Sequence, residues 1–249
     1  MCIIFLNRQV RPNTHIIHWG QSFICSFVAI FIAVNSIVHN TIVYVKEILA
    51  DAEGGHNWYH IERVWKMALY LREQEGKGDL LTIELAALLH DISDAKFNGG
   101  DHEKGSAMAH DFLIQQEVDP DRARHIQEII QYVSYKGGFP QDRIHSMEFQ
   151  IVQDADRLDA IGAIGIARAF NYGGFKNRPI HDPSMPLQEY ADPKAYHKSD
   201  APTINHFYEK LLKLKDLMNT STGSTIAQER HDYMLHFLET FYRECDPGK

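Results

Sequence analysis

His90 and Asp91 stand side by side at the end of the run Ile83-Glu84-Leu85-Ala86-Ala87-Leu88-Leu89. A run that is apolar nearly all round reads as a short helix buried on most sides. It closes on an imidazole and a carboxylate, two side chains that bind metals, placed at the edge of a core. His60 upstream, in His60-Ile61-Glu62-Arg63-Val64, and Asp156 downstream, in Asp154-Ala155-Asp156-Arg157-Leu158-Asp159, can complete a site. Nitrogen and oxygen donors together suit one divalent transition ion: manganese, iron, nickel, cobalt or zinc. Three or four protein ligands leave positions open for water and for a phosphate oxygen. An ion so placed acidifies water and offsets phosphate charge, which is the chemistry of phosphate-ester hydrolysis. Each residue alone has a plainer reading. His90-Asp91 can be a helix-terminal His beside a solvated Asp, and Asp156 an ion-pair partner of Arg63 or Arg157. The order His…His-Asp…Asp on helical segments is more specific than any one member.

The elements that must carry these residues are helical. Ile42, Val45 and Ile48-Leu49 recur at helical spacing, and Gly54-Gly55 breaks that run. Ile61, Val64-Trp65 and Ala68 line the next helix, which ends near Gly76-Lys77-Gly78. His60 shares a face with Val64 and Met67 and so points partly inward. Asp79 suits the N-cap of the helix that ends at His90. Phe97-Asn98-Gly99-Gly100-Asp101 reads as a loop, and Met108, Phe112 and Leu113 mark another helix. Asp119-Pro120 is a cap followed by Pro at a first helical position. Ile144 to Phe170 is one long helix or two, with Asp156, Ala160 and Ala163 on a small-residue stripe. Residues 171–202 are rich in Gly, Pro, Asp and His and read as a long loop, a lid or wall over the site. Ile204, Phe207-Tyr208, Leu211, Leu214 and Met218 restore the helical period, and a last helix carries Tyr233-Met234, Phe237-Leu238 and Phe241. No alternating strand pattern exceeds four residues. The fold class is all-α, with residues 1–39 an atypical extension and 40–245 the helical domain.

Lys and Arg number 25 against 33 Asp and Glu, a net charge of −8. That balance argues against binding nucleic-acid polymers through their phosphates. A local basic pocket for one small phosphate ester is compatible with it. Cys2, Cys25 and Cys245 are too few and too scattered for a disulfide framework, which points to the cytoplasm. The apolar stretch 22–38 follows Arg8 and Arg11, yet it is shorter than the roughly 20 residues that span a bilayer. A membrane tether through it is the minor reading.

The chain resembles a known family in three motifs: His60-x-x-Arg63-Val64, Leu88-Leu89-His90-Asp91-Ile92 and Asp154-Ala155-Asp156-Arg157-Leu158. They are similar to those of the HD superfamily of metal-dependent phosphohydrolases. The likeness is closest to a small bacterial branch, through Gly55-His56-Asn57-Trp58-Tyr59-His60-Ile61-Glu62-Arg63-Val64 and Asp156-Arg157-Leu158-Asp159-Ala160-Ile161-Gly162. It covers about residues 40 to 245. The resemblance implies an HD-domain helical bundle with additional C-terminal helices. It makes His60, His90, Asp91 and Asp156 the metal ligands, with His56 and Asp154 as lesser neighbours. It places Asp91 and Asp94 in catalysis, Asp94 helping to activate water. Lys96, His102, Lys136, Arg157 and Arg178 are candidates to bind phosphate, and Lys176 lies near the last of them. Asn57 stands where the family usually has Asp, which removes one carboxylate. Ile130-Gln131-Tyr132-Val133-Ser134 lacks the paired His of two-metal relatives, which favours a single ion. The implied activity is hydrolysis of a nucleotide or related phosphate ester, including release of pyrophosphate from nucleoside triphosphates. The alternative is a non-catalytic nucleotide or metal sensor on the same scaffold. A homodimer is open.

Overall fold

The computed structural model describes residues 36–50, 52, 57–92, 102–133, 144–187 and 200–248. Within them the chain is helical and contains no strand. α1 runs over residues 36–48. It is followed by α2 (Trp58–Glu75), α3 (Leu80–Leu89), α4 (His102–Gln115), α5 (Pro120–Val133), α6 (Met147–Asp159) and α7 (Gly162–Phe175). Then come α8 (Thr203–Glu209), a 3-10 helix (Leu211–Leu217) and α9 (Ser221–Cys245).

α3 is the centre of the bundle. Asp79 caps it by accepting from Thr82 N, and its residues Leu85 to Leu89 are all fully buried. α2, α5 and α6 pack around it. From Leu85 onward its side chains find neighbours on every face, and the partly buried Glu84 accepts from Trp65 Nε1. α2 begins with Asn57, whose side chain accepts from Tyr59 N, and ends at Gly76 in the left-handed region (φ 64°). Only a residue without Cβ adopts that conformation readily. Asn57 thus serves as a helix cap at the position where the family usually has Asp. At α5, Asp119 Oδ1 accepts from the backbone of Asp121 and Arg122, and Pro120 is the first helical residue.

α1 docks on α4. Tyr44 stacks on Phe112 at 4.1 Å, and Asn40 donates to Gln116. The helix is already under way at residue 36, and Ile37 and Val38 pack against the core. Residues 22–35 of the apolar stretch lie outside the described residues. Among the described residues, no helix is long and apolar enough to cross a membrane.

The alternative left open over 144–170 resolves to its second form, and three local expectations are corrected. The segment from 144 to 170 is two helices, because the chain breaks between Asp159 and Gly162, where Gly162 takes φ 74°. Ala163 consequently belongs to α7, where it is exposed, and the stripe Asp156–Ala160–Ala163 does not exist. Residues 171–175 are the last turn of α7 rather than loop. The apolar period from Ile204 to Met218 covers two elements, since Lys210 (φ −135°, ψ −61°) leaves the helical region between α8 and the 3-10 helix. The C-terminal helices close over α7 through Phe170, Phe207, Phe237 and Phe241.

Candidate metal centre

α2, α3 and α6 converge where the central helix ends. α2 supplies His60 from its first turn, the end of α3 supplies His90 and Asp91, and α6 supplies Asp156 from its last turn. His60 and His90 are buried, at 1% and 6% exposure, whereas the Asp91 and Asp156 side chains keep 13% and 24%. The histidines therefore form the floor and the carboxylates the open rim. His60 Nε2 lies 3.3 Å from His90 Nε2, 3.6 Å from an Asp156 oxygen and 3.8 Å from an Asp91 oxygen. His90 Nε2 is 3.7 Å from the same Asp156 oxygen. Adjacent donors around one ion at about 2.0–2.1 Å are expected roughly 3.0–3.4 Å apart. The His60–His90 distance falls in that range, His60, His90 and Asp91 group as a possible metal-holding set, and Asp156 stands 3.6–3.7 Å from both imidazoles.

The far nitrogens suit this pocket to a cation. His60 Nδ1 sits 2.7 Å from Asp159 Oδ2, and His90 Nδ1 sits 2.8 Å from the Ala87 carbonyl oxygen. Carboxylate and carbonyl only accept, so both Nδ1 atoms donate. In the neutral rings both Nε2 atoms then carry bare lone pairs, facing each other. A cation between them, proton or metal, relieves that repulsion. The donors of His60, His90 and Asp91 thus suit a divalent ion, with the Asp156 carboxylate beside both imidazoles.

The pKa shifts describe the same pocket without its ion. Burial and the nearby Arg168 guanidinium lower His60 to about 4. Burial also opposes charge on His90, but the hydrogen bond and charge of Asp156, with Asp91, override it and raise His90 to about 9. Asp156 is also buried against its charge, yet its contact with His90 holds its carboxyl far below the usual range. Without a metal the extra proton therefore sits on the His90 imidazole, opposite the ionised Asp156 carboxylate.

Asp154, two residues before Asp156, faces the opposite way and is fully buried. It accepts from the backbone and side chain of both Asn219 and Thr220, which lead into α9. Burial pushes its carboxyl up against those donors. It fastens α6 to α9. Arg157 Nη1 donates to the Leu217 carbonyl. Arg178 lies over the Tyr172 ring at 5.6 Å, and Lys176 over Tyr172 and Phe175. Asp94, Lys96, Lys136 and His56 lie outside the described residues. His102 opens α4, and its side chain is likewise outside them.

A profile of the HD domain matches residues 57–161, the stretch that holds all four candidate ligands. YpgQ of Bacillus subtilis (strain 168) is 38% identical over 207 residues, covering 82% of this chain and 91% of that protein. The chain belongs to the HD superfamily. An HD-superfamily hydrolase from Bacillus thuringiensis is 43% identical, covers 86% of this chain and 98% of its own, and superposes with a TM-score of 0.66. A Lactobacillus plantarum protein reaches a TM-score of 0.75 at 37% identity, over 84% of this chain and 96% of its own. YpgQ in complex with ADP gives 0.68 at 32% identity, over 87% and 98%.

In this HD-type hydrolase, the motif reading passed over the group that backs His60. Asp159 accepts from Arg63 Nε at 2.7 Å, Arg63 Nη2 at 3.0 Å and Arg168 Nη1 at 2.8 Å, besides His60. Arg63 was considered as a partner of Asp156, and the structure pairs it with Asp159 instead. Helical spacing held the signal: Asp159 is three residues after Asp156 and Arg63 three after His60, so each shares a face with its ligand. Arg168, on another helix, had no such cue.

Proposed function

We propose that this HD hydrolase acts on a free nucleotide, cleaving a phosphate ester or anhydride at the His60–His90–Asp91–Asp156 centre with one divalent transition ion. The carrying observation is the facing pair of Nε2 atoms, 3.3 Å apart, with two partly exposed carboxylates beside them. The ion supplies Lewis acidity toward a phosphate oxygen and lowers the pKa of water. The buried His60 and His90 hold the floor rigid, and Asp91 and Asp156 face the side from which a substrate enters. In the overall reaction water adds at phosphorus as the bond to the leaving group breaks. A nucleoside triphosphate would give monophosphate and pyrophosphate, and a monophosphate would give nucleoside and phosphate.

The nucleotide reading draws support from the ADP complex of YpgQ. The net charge of −8 favours a free nucleotide over a polymer. Asp94 is assigned to water activation, and Lys96, His102, Lys136, Arg157 and Arg178 to phosphate contacts. For Arg157 that role requires sharing the guanidinium now bonded to Leu217. The test is a screen of nucleoside mono-, di- and triphosphates against manganese, iron, cobalt, nickel and zinc, with products resolved by anion exchange. Hydrolysis that EDTA stops and one of these metals restores is expected. Absence of turnover with every pair would reject the reading.

A further inference from the structure

We propose that Asp159 is a positioning residue for this centre: clamped by Arg63 and Arg168, it holds the His60 ring with its proton on Nδ1 and so keeps Nε2 bare for the metal. The proposal rests on the metal centre proposed above.

Asp159 is 5% exposed and both of its oxygens are committed. Oδ1 takes Arg63 Nε, and Oδ2 takes His60 Nδ1, Arg63 Nη2 and Arg168 Nη1. Asp159 sits on the Nδ1 side of the His60 ring, away from the Nε2 atoms that face each other, so it is not a fifth ligand. The two-point contact of Arg63 sets the plane of the carboxylate. Arg168 pins Oδ2 from a different helix. The carboxylate cannot swing away, and its Oδ2 faces the imidazole in one orientation only. Carboxylates behind metal-bound imidazoles fix ring angle and tautomer in this way.

His60 needs such a partner more than an exposed histidine would. Its ring is 1% exposed, so no bulk water chooses the tautomer. The wrong tautomer would put a hydrogen on Nε2, inside the 3.3 Å gap to His90. His90 is oriented by the Ala87 carbonyl, which no side-chain substitution removes. The His60 side is where the arrangement can be tested.

The experiment titrates zinc by chelator competition into the full chain and into Asp159→Asn, Asp159→Ala and Asp156→Asn. Three donors meet at Oδ2 and one at Oδ1, so an Asn places its oxygen at the Oδ2 position, keeping the His60 and Arg168 contacts and losing the charge and the Arg63 Nε bond. Asp159→Asn should weaken zinc about tenfold and Asp159→Ala by up to about 100-fold. The kcat at saturating metal should stay within a few-fold, since the ligands are intact. Imidazole nitrogen NMR on the metal-free full chain at pH 8 should show His60 protonated at Nδ1. An unchanged zinc affinity in folded Asp159 variants overturns the proposal, as does a His60 proton on Nε2. Should Asp159→Ala fail to fold, Asp159→Asn and the spectrum of the unsubstituted chain decide it. Asp156→Asn separates the two claims. It should lose zinc; if it binds normally, the metal centre itself is wrong. If it loses zinc while the Asp159 variants do not, only the positioning role falls.

Discussion

At the scale of the residue, neighbouring aspartates do different work because of where their helices point them. Asp91→Ala removes a carboxylate from the open rim of the centre without touching the core. It should abolish metal-dependent hydrolysis and lower bound metal while leaving the far-ultraviolet circular dichroism unchanged. Retained activity with manganese would place the centre elsewhere. The two histidines also set opposite pH dependences in the metal-free protein. His90 has its folded pKa raised to about 9 from an ordinary value near 6.5. Its contribution is complete below pH 6.5 and fades as pH rises to 9. His60 has its folded pKa lowered to about 4, so its contribution is lost as pH falls from 6.5 toward 4. Metal uptake displaces the proton carried by His90, so it tightens as pH rises through the upper window. Melting curves with and without zinc from pH 6.5 to 9 should diverge as pH rises. A constant gap would show that this proton does not compete with the metal.

At the scale of the element, the ends of helices decide the geometry of the site. All four candidate ligands lie in a first turn, at a C-terminus or in a last turn, where the next residue is free to turn away. α6 is held at such an end by Asp154, which gathers the donors of Asn219 and Thr220, while Thr220 also caps α9 through Gly223 N. Gly223 has to be Gly, because a Cβ there would come within 2.6 Å of an Asp154 oxygen. Thr220→Ala should destabilise the fold by about 1–2 kcal/mol, the range for a lost N-cap. Asp154→Ala leaves buried donors unsatisfied and should cost about 1–3 kcal/mol or more. Zinc bound per folded molecule should not change in either variant. Urea denaturation followed by metal analysis checks both, and loss of zinc from folded Asp154→Ala would make Asp154 part of the centre.

At the scale of the whole molecule, the centre sits on the most buried part of the bundle. Leu88→Ala in α3, with Leu88 fully buried, should cost about 2–5 kcal/mol, and saturating zinc should restore part of the lost melting temperature. The described domain begins no later than residue 36, inside the stretch first assigned to the extension, and Ile37 and Val38 pack on the core. Removing residues 1–35 is accordingly the cut that should preserve helical content and zinc binding. Loss of either would show that the extension belongs to the fold.

Much of this was legible in the chain. The unbroken apolar character of α3 announced a buried helix, and ligand types at its end announced a site. The caps Asp79 and Asp119 and the stop at Gly76 are local chemistry, set within three or four residues. The break at Gly162 was left open, because an apolar helical pattern continues through it, and the packing of α7 against α9 exists only in the fold. The separate roles of Asp154, Asp156 and Asp159 were not legible. Three carboxylates within six residues of one helix look alike in sequence. They became an anchor, a candidate ligand and a brace once α9, α3 and α2 with α7 each approached a different side. A side chain's type is written in the chain, but its partner is chosen by contacts between residues 60 to 100 positions apart, and those exist only in the folded molecule.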